Sequence, residues 1–468
     1  MLKHYHLKTF GCQMNKHDSE RIAGLLQHHG MQPVTDIHDA DVIVFMTCCV
    51  REKAEERLYG QVSSLKTLTS PSGDPPLIAV GGCIGQRDGE KLIARIPHID
   101  VVFGTHNIAH LPALLDAAQS AREPQVEVLS ENLDDESFAS AHASESTFHA
   151  WLPIITGCDN YCSYCIVPAV RGPEKSHDFD LVVDRAKQLV EQGFKEITLL
   201  GQNVNSYGRD RYGRPRFAEL LDAVSQTGIS RLGFATSHPK DLGKETIAVM
   251  ASNPNVLRYL HLPMQSGSTR ILEAMNRHYT KDEYLSLVDS VYDALPGIAL
   301  STDIIVGFPS ETEADFEDTL EVVSSARFSS AFTFLYSKRE GTPAESMPGQ
   351  VEPACAQHRF DRLVEAVQEQ AYRFSTQLVG TVASVLIEGP SKRDAEVLVG
   401  RDRHYRVVHL NVPQHSCPDE WVGTEVDATV TDAHTWYVNA EMPAIPLPLH
   451  DSKGTDGSRQ KKKPALHG

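Results

Sequence analysis

The chain has 468 residues, 41% of them hydrophobic and 23% charged, so its composition is that of a globular protein with two or three domains. The formal net charge of -18 argues against general nucleic-acid binding, because phosphate neutralisation requires clustered Lys and Arg. No apolar run approaches the roughly 20 residues of a membrane-spanning helix, and the opening segment lacks the apolar core of a signal peptide. We therefore expect a cytoplasmic protein with no membrane partner, whose nine cysteines are metal ligands or spectators rather than disulfides.

Residues 1–121 alternate short apolar runs with helical patterns. The runs YHLKTF, DVIVFM, LIAV and IDVVFG are typical of buried parallel strands, and helices are predicted over residues 18–30, 51–66, 86–96 and 108–121. Four βα units in series predict a doubly wound parallel sheet with its site beyond the carboxyl ends of the strands. Cys12, Cys48 and Cys83 follow the first three strands, so we expect them at one edge of the sheet. The alternative, three unrelated small buried residues, requires three coincidences.

A polar stretch over residues 122–147 is predicted to be a linker, and βα alternation then resumes over residues 148–378. The strand candidates are WLPIIT, EITLLG, RLGFAT, RYLHLP, LSTDIIVG and AFTFLY. Helices are predicted over residues 179–192, 281–294, 312–327 and 353–378. Six βα units predict a partial TIM-like barrel, whose chemistry belongs at the C-terminal face.

Residues 379–443 are rich in short strands and predict a small five-stranded barrel of OB type. The group Lys392, Arg393, Arg401, Arg403 and Arg406 is a candidate nucleic-acid patch on it, and a structural cap without a ligand is the alternative. Residues 444–468 are predicted to be a flexible basic tail.

The stretch TGCDNYCSYCIVP carries Cys158, Cys162 and Cys165 directly after the first strand of the predicted barrel. A structural zinc site requires four ligands, usually from two paired knuckles. A [4Fe-4S] cluster held by three thiolates instead keeps one iron open, which suits catalysis rather than electron transfer. Cys355 and Cys417 match no motif and are expected to be spectators.

The motif C-x-x-x-C-x-x-C in this position resembles that of the radical SAM superfamily, and the wider chain resembles the methylthiotransferases within it. The resemblance covers nearly the whole chain: an N-terminal three-cysteine domain, a radical SAM barrel and a TRAM barrel. The motifs that carry it are KTFGCQMN, TCCVREKAEER, GGCIGQR, GCDNYCSYCIVP, RGPE, LGQNVNSYG, HLPMQSGS and VGFPSET.

The resemblance implies two [4Fe-4S] clusters and S-adenosylmethionine (SAM) as cofactors. Cys158, Cys162 and Cys165 would hold the cluster that cleaves SAM, and Cys12, Cys48 and Cys83 an auxiliary cluster. Cys49 adjoins Cys48, and the family pattern aligns the first of the pair with the ligand. The rim positions at which the family holds SAM correspond to Gly201, Gln202, Gln265, Ser266, Gly307 and Pro309.

The function implied is methylthiolation of carbon 2 of N(6)-(dimethylallyl)adenosine at tRNA position 37, beside the anticodon. One SAM would methylate sulfur at the auxiliary cluster, and a second would be cleaved to the radical that activates the C–H bond. The implied partners are tRNA carrying isopentenylated adenosine, an electron donor such as a flavodoxin or ferredoxin, and a sulfur donor. No side chain is assigned as a catalytic acid or base.

Two alternatives remain open at this stage. A related methylthiotransferase would act on threonylcarbamoyl adenosine in tRNA or on a ribosomal-protein aspartate, although the stretch VREKAE favours the first assignment. A non-catalytic iron-sulfur carrier or RNA-binding redox protein would contain clusters without cleaving SAM.

Overall fold

The computed structural model describes residues 2–49, 52–70, 73–130, 146–413 and 416–443. The predicted tail at 444–468, most of the predicted linker and the start of the VREKAE stretch lie outside these residues. None of the described helices is both long and apolar enough to cross a membrane.

The N-terminal region is a six-stranded parallel sheet in the order β2-β1-β3-β4-β5-β6. Its strands are β1 (His4–Thr9), β2 (Gln32–Pro33), β3 (Val42–Thr47), β4 (Leu77–Gly82), β5 (Val101–Phe103) and β6 (Gln125–Glu127). Its helices are α1 (Gln13–His28), α2 (Glu52–Ser64), α3 (Cys83–Asp88), α4 (Glu90–Arg95) and α5 (Leu111–Ala121). The strand order changes direction between β1 and β3, which is the topological switch point where doubly wound sheets bind ligands.

The apolar run of β3 is explained by burial on both faces of the sheet. Ile43 and Phe45 pack in one hydrophobic cluster together with Leu58 of α2. Val44 packs in a second cluster on the other face, together with Ile22 of α1. A strand covered by helices on both sides carries no polar alternation, and for this reason its sequence is continuously apolar.

The four predicted strands are confirmed. The structure differs from the prediction in two additional edge strands and in the bounds of two helices. The sequence did not predict β2 and β6, because they are short edge strands with polar residues. The helix predicted over residues 86–96 is instead two helices, α3 and α4, because Gly89 at their junction has φ +47° and ψ -122°. Helix α1 begins at Gln13, directly after Cys12, rather than at residue 18.

The central region is the predicted partial barrel of six parallel strands. Its strands are β7 (His149–Pro153), β10 (Glu196–Leu200), β11 (Arg231–Phe234), β12 (Tyr259–His261), β13 (Ala299–Val306) and β14 (Ser330–Leu335), with a small hairpin-like pair β8 (Ile155–Thr156) and β9 (Lys175–Ser176). The helices are α6 (Val167–Arg171), α7 (Phe179–Glu191), α8 (Arg209–Tyr212), α9 (Phe217–Ser225), α10 (Lys244–Ser252), α11 (Thr269–Ala274), α12 (Lys281–Ala294), α13 (Glu313–Ala326) and α14 (Pro353–Thr376). Strands β7, β10 and β11 form one sheet and β12 to β14 another, and a parallel bridge between Leu232 and Val256 connects them.

The C-terminal region is the predicted closed five-stranded barrel, in the order β15-β16-β17-β19-β18. The strands are β15 (Val382–Pro390), β16 (Val397–Arg401), β17 (Val407–Asn411), β18 (Glu425–Ala433) and β19 (Tyr437–Glu441). It docks against the N-terminal ends of the central strands through Arg231, a fully buried residue that donates to the carbonyl of Asp402 at 2.8 Å and pairs with Glu196 at 2.7 Å.

The predicted basic patch is wrong for two of its five residues, Arg403 and Arg406. Arg403 donates to the carbonyls of Ser230 and Pro254, and buried Arg406 donates to the carbonyls of Ser329 and Ala371. Arg401 pairs with Glu388 at 2.8 Å. Arg403 and Arg406 thus join the two barrels by supplying donors to backbone carbonyls of the central region, whereas the Arg401–Glu388 pair lies within the C-terminal barrel, between β16 and β15. Only Lys392 and Arg393 of the group are exposed.

Candidate functional site

Cys12, Cys48 and Cys83, the N-terminal trio, lie where β1, β3 and β4 end. Cys12 is the residue before α1, Cys48 follows β3 directly, and Cys83 is the first residue of α3. Gly11 has φ +117°, and a Cβ on it would stand 3.1 Å from the Cys48 sulfur, so the two loops touch. A hydrogen bond from Cys48 lowers the pKa of Cys12. The strand ends thus bring the three thiols to the switch point of the sheet.

Cys48 and Cys49 point to different surroundings. Cys49 is fully buried within the hydrophobic cluster beneath α2 and forms a hydrogen bond with Cys83, which raises the pKa of the Cys49 thiol. Cys48 instead contacts the loop of Cys12. Cys48 is therefore the one of the two that contacts the loop of Cys12, and its assignment as the ligand stays a prediction.

Arg171, the last residue of α6, reaches the N-terminal trio from the central barrel. Its side chain is 8% exposed, and its Nη2 donates to Asp18 Oδ2 at 2.8 Å and to Asn15 Oδ1 at 3.1 Å. Asn15 is anchored in turn by bonds from its Nδ2 to the carbonyls of Phe10 and Thr47. Hydrogen bonds from Cys48 and Cys49 lower the pKa of Cys12 and Cys83 respectively, and the charge of Arg171 lowers both further, against the effect of burial.

Cys158, Cys162 and Cys165, the loop trio, occupy the loop between β8 and α6. Gly157 begins the loop with φ +75°, and a Cβ there would overlap the carbonyl oxygen of Pro173. The segment after α11 holds the loop from the other side: Ser163 donates to the carbonyls of Ala274 and Met275, and Asn276 donates to the carbonyl of Tyr161. The loop is therefore fixed by backbone bonds independent of any cofactor.

The three thiols of the loop trio are close enough that each influences another electrostatically. Burial, and then the neighbouring Cys162, raise the pKa of Cys165 to about 12 and contribute to the raised pKa of Cys158, about 11. Arg277 donates from Nη1 to the Cys162 sulfur at 3.5 Å. The set is three sulfurs and one buried cation, which fits an anionic cluster held by thiolates.

Neither trio is arranged around a single ion. Within the described parts of the chain, no three Cys, His, Asp or Glu side chains converge tightly enough to hold one metal ion. Three thiolates of one trio can each bind a separate iron of a [4Fe-4S] cluster, whereas a structural zinc site requires four ligands on one ion. Cys355 lies on α14 and Cys417 in an exposed loop, away from both trios.

Unpaired polar atoms follow β10 and β11 at the C-terminal rim of the barrel. Five buried atoms in these two segments have no hydrogen-bond partner among the described residues: Gln202 Oε1, Asn203 Oδ1, Asn205 Nδ2, Ser237 Oγ and His238 Nε2. Burial lowers the pKa of His238, and its Nδ1 accepts from the amide of Lys240, so Nε2 carries the proton. Buried polar atoms without partners are costly, which indicates a polar ligand in this position. The amino, carboxylate and ribose groups of SAM fit such a set.

The other predicted rim residues have local structural explanations. A Cβ on Gly201 would overlap Ile155, and Gly307, with φ +78°, packs against α14. Gln265, with φ +66°, bridges to β13 through its backbone. Ser266 accepts a bond from the amide of Ser268, and Pro309 is buried. Their contact with SAM stays a prediction.

Several site residues were not identified from the sequence. Asn205 lies in the quoted motif LGQNVNSYG, and Ser237 and His238 follow a predicted strand, so strand-end position was an available signal for them. Asp18 and Arg277 had no such signal, because their partners are 153 and 115 residues away in sequence.

Comparison with known proteins assigns each of the three regions to a domain family. Residues 4–104 match the Uncharacterized protein family UPF0004, residues 152–323 the Radical SAM superfamily, and residues 376–442 the TRAM domain. The radical SAM methyltransferase TsrM from Kitasatospora setae shares the fold with a TM-score of 0.51 at 13% identity, over 82% of this chain and 81% of that one.

Two relatives in sequence are both named tRNA-2-methylthio-N(6)-dimethylallyladenosine synthase. The protein of Salinispora arenicola is 45% identical over 99% of this chain and 92% of its own length. That of Acidothermus cellulolyticus is 47% identical over 92% of this chain and 86% of its own. The chain belongs to the tRNA-2-methylthio-N(6)-dimethylallyladenosine synthase family of radical SAM methylthiotransferases.

Proposed function

We propose that this protein methylthiolates carbon 2 of N(6)-(dimethylallyl)adenosine at position 37 of tRNA. The observation that carries the proposal is the position of α6. This helix begins next to Cys165 of the loop trio and ends at Arg171, whose guanidinium contacts Asp18 beside Cys12. One short helix therefore connects two sulfur sites in different domains. A reaction that combines sulfur donation at one site with SAM cleavage at the other needs such a connection.

Each trio would hold one [4Fe-4S] cluster: Cys12, Cys48 and Cys83 the auxiliary one, and Cys158, Cys162 and Cys165 the one that binds SAM. Bound, these cofactors supply one-electron chemistry and the methylthio group, which no side chain can provide. The chain's own residues bind and orient: Gln202, Ser237 and His238 offer donors and acceptors to SAM.

Recognition of the tRNA would rest on exposed aromatic rings and a few cations rather than on net charge. Tyr161 in the cluster loop is 60% exposed, and Trp436 on the C-terminal barrel is 47% exposed. Such rings stack on unpaired bases, which is how proteins bind single-stranded RNA loops. Lys392 and Arg393 are the exposed cations of the C-terminal barrel's basic group.

Each region of the chain and each partner would have a separate role. The N-terminal sheet would carry the auxiliary cluster, residues 148–378 the radical chemistry and residues 379–443 the RNA contact. The sheet extends to Glu127 through β6, so the predicted linker at 122–147 is correspondingly shorter, and a basic tail would follow the last domain. A flavodoxin or ferredoxin would deliver electrons, a separate donor would replace the sulfur, and the reaction would occur in the cytoplasm.

The decisive experiment is mass spectrometry of tRNA nucleosides from a deletion strain. We expect 2-methylthio-N(6)-dimethylallyladenosine to disappear and its unthiolated precursor to accumulate. The wild-type gene, supplied in trans, should restore the modified nucleoside. A strain with unchanged nucleosides, and no second enzyme of this family, would contradict the proposal. Complementation with Cys355→Ala is the matched control, because that thiol lies outside both trios.

Iron content tests the ligand assignment separately. Anaerobically reconstituted protein should hold about eight irons per chain, and Cys158→Ala/Cys162→Ala/Cys165→Ala about four. SAM and dithionite should yield 5′-deoxyadenosine only with the wild type. Full iron loading without that product would favour a non-catalytic carrier.

A further inference from the structure

Arg277 is a buried guanidinium directed at the loop trio. The residue is 4% exposed and follows α11. Its Nη1 donates to the Cys162 sulfur at 3.5 Å, its Nη2 to the carbonyl of Pro263 at 2.8 Å, and its Nε to the Tyr279 hydroxyl at 3.1 Å. Three separate anchors thus fix the orientation of the cation beside one cysteine.

No carboxylate neutralises this cation. Among the residues that the structure describes, none of the Asp or Glu side chains forms an ion pair with Arg277, and its acidic neighbours are Cys162 and the phenols of Tyr164 and Tyr279. Phenols, with ordinary pKa values near 10, are neutral at pH 7. A buried cation without a counter-ion is costly by several kcal/mol. The remaining candidate for the counter-ion is the anionic sulfur site.

Buried Arg171 and Arg359 differ in this respect. Arg171 pairs with Asp18 at 2.8 Å, and Arg359 pairs with Glu311 at 3.0 Å. Buried Arg406 also has no ion pair among the described residues, but its side chain donates to three carbonyls, whereas Arg277 directs one donor at a thiol. A structural role in tying Pro263 to Tyr279 needs the hydrogen bonds but not the positive charge, so the two roles can be separated.

We propose that Arg277 is a positioning residue that acts through Cys162 to favour the reduced state of the [4Fe-4S] cluster held by the loop trio. On reduction, one electron from a low-potential donor adds one negative charge, and no atom is gained or lost. A fixed positive charge stabilises the more negative state, and a hydrogen bond to a ligand sulfur acts in the same direction. Arg277 thereby raises the reduction potential. This inference rests on the proposed function, because it requires a cluster at this trio.

The test is a potentiometric EPR titration of the reconstituted full-length protein, using the signal that changes when SAM is added. In Arg277→Gln the midpoint potential should fall by at least about 59 mV, which is a tenfold change in the equilibrium constant of a one-electron couple. Arg277→Lys keeps the charge, and its midpoint potential should fall by less than half as much.

Arg270→Gln is the matched control. It removes the same formal charge from the nearby helix α11, but its side chain is 52% exposed and paired with Asp315, so the potential should not change. An Arg277→Gln protein that keeps its iron and the wild-type potential overturns the inference. So do equal shifts in the Gln and Lys variants, because shape rather than charge would then be responsible.

Loss of the cluster is also decisive. If Arg277→Gln fails to retain iron, a Lys variant that retains iron at a near wild-type potential supports the role of the charge. Loss of iron in both variants contradicts it. If the wild-type protein shows no SAM-responsive cluster, the proposed function itself fails, and that outcome is distinct from any difference among the variants.

Discussion

The ion pair between Arg171 and Asp18 is a buried contact between the N-terminal sheet and the barrel, and its removal gives a quantitative test. Both side chains are under 10% exposed, and their charged atoms are 2.8 Å apart. Coulomb's law gives roughly 6 kcal/mol for this attraction at an effective dielectric constant of about 20. Breaking one partner of a buried pair typically costs about 3–5 kcal/mol. We expect Arg171→Gln and Asp18→Asn each to lose stability in that range.

The double variant separates pairing from packing. In Arg171→Gln/Asp18→Asn no charge remains unpaired, so its loss should be well below the sum of the single losses. Urea unfolding of the anaerobic apo protein, followed by tryptophan fluorescence and circular dichroism, measures all four states. The exposed pair Arg373 and Glu369 is the control, with an expected coupling under about 1 kcal/mol. Additive losses for the buried pair would refute the reasoning.

Three further predictions concern single sites. Gln202→Ala and Ser237→Ala should each weaken SAM binding roughly two- to tenfold by calorimetry with iron content unchanged, because each removes one hydrogen-bonding atom. Gly157→Ala should cut the iron content from about eight to about four, because the loop trio cannot form around a Cβ that overlaps Pro173. Burial lowers the pKa of His149 to about 4, below the value of about 6.5 in the unfolded chain, so the unfolded state binds more protons between these values and stability falls as the pH drops through them. His149→Gln should abolish that component, about 2 kcal/mol between about pH 7 and pH 5 in urea unfolding.

Local patterns predicted the scaffold well where a strand is buried on both faces, as β3 is, and where a helix has a clear start signal. The helix predicted over 281–294 is α12, which begins after Thr280 with a capping box to Glu283. Cysteines at strand ends were predictable for the same reason, since parallel strands deliver their carboxyl ends to one edge. Gly89, which splits one helix into two, was not recognised, because a single glycine inside a helical pattern does not reveal its φ.

The sequence wrongly predicted the location of the basic residues of the C-terminal barrel. The basic group of the C-terminal barrel looked like an RNA surface, yet Arg403 and Arg406 donate to carbonyls of the central barrel. Sequence proximity shows that cations are adjacent along the chain, but not which side of a small barrel faces a neighbour. The same limit hid Arg171 and Arg277, whose partners come from distant segments.

One carboxylate distinguishes the two buried arginines beside the cysteine trios. Asp18 offsets most of the charge of Arg171, so that residue mainly fixes how the N-terminal sheet meets the barrel. Arg277 has no such partner among the described residues, and its charge is directed at the sulfur of Cys162. The two arginines therefore have different roles. Arg171 holds the N-terminal sheet against the barrel, and Arg277 sets how readily the cluster of the loop trio accepts an electron. The two roles differ by one carboxylate, because each guanidinium group is already held by hydrogen bonds and only that of Arg171 also has an acidic partner.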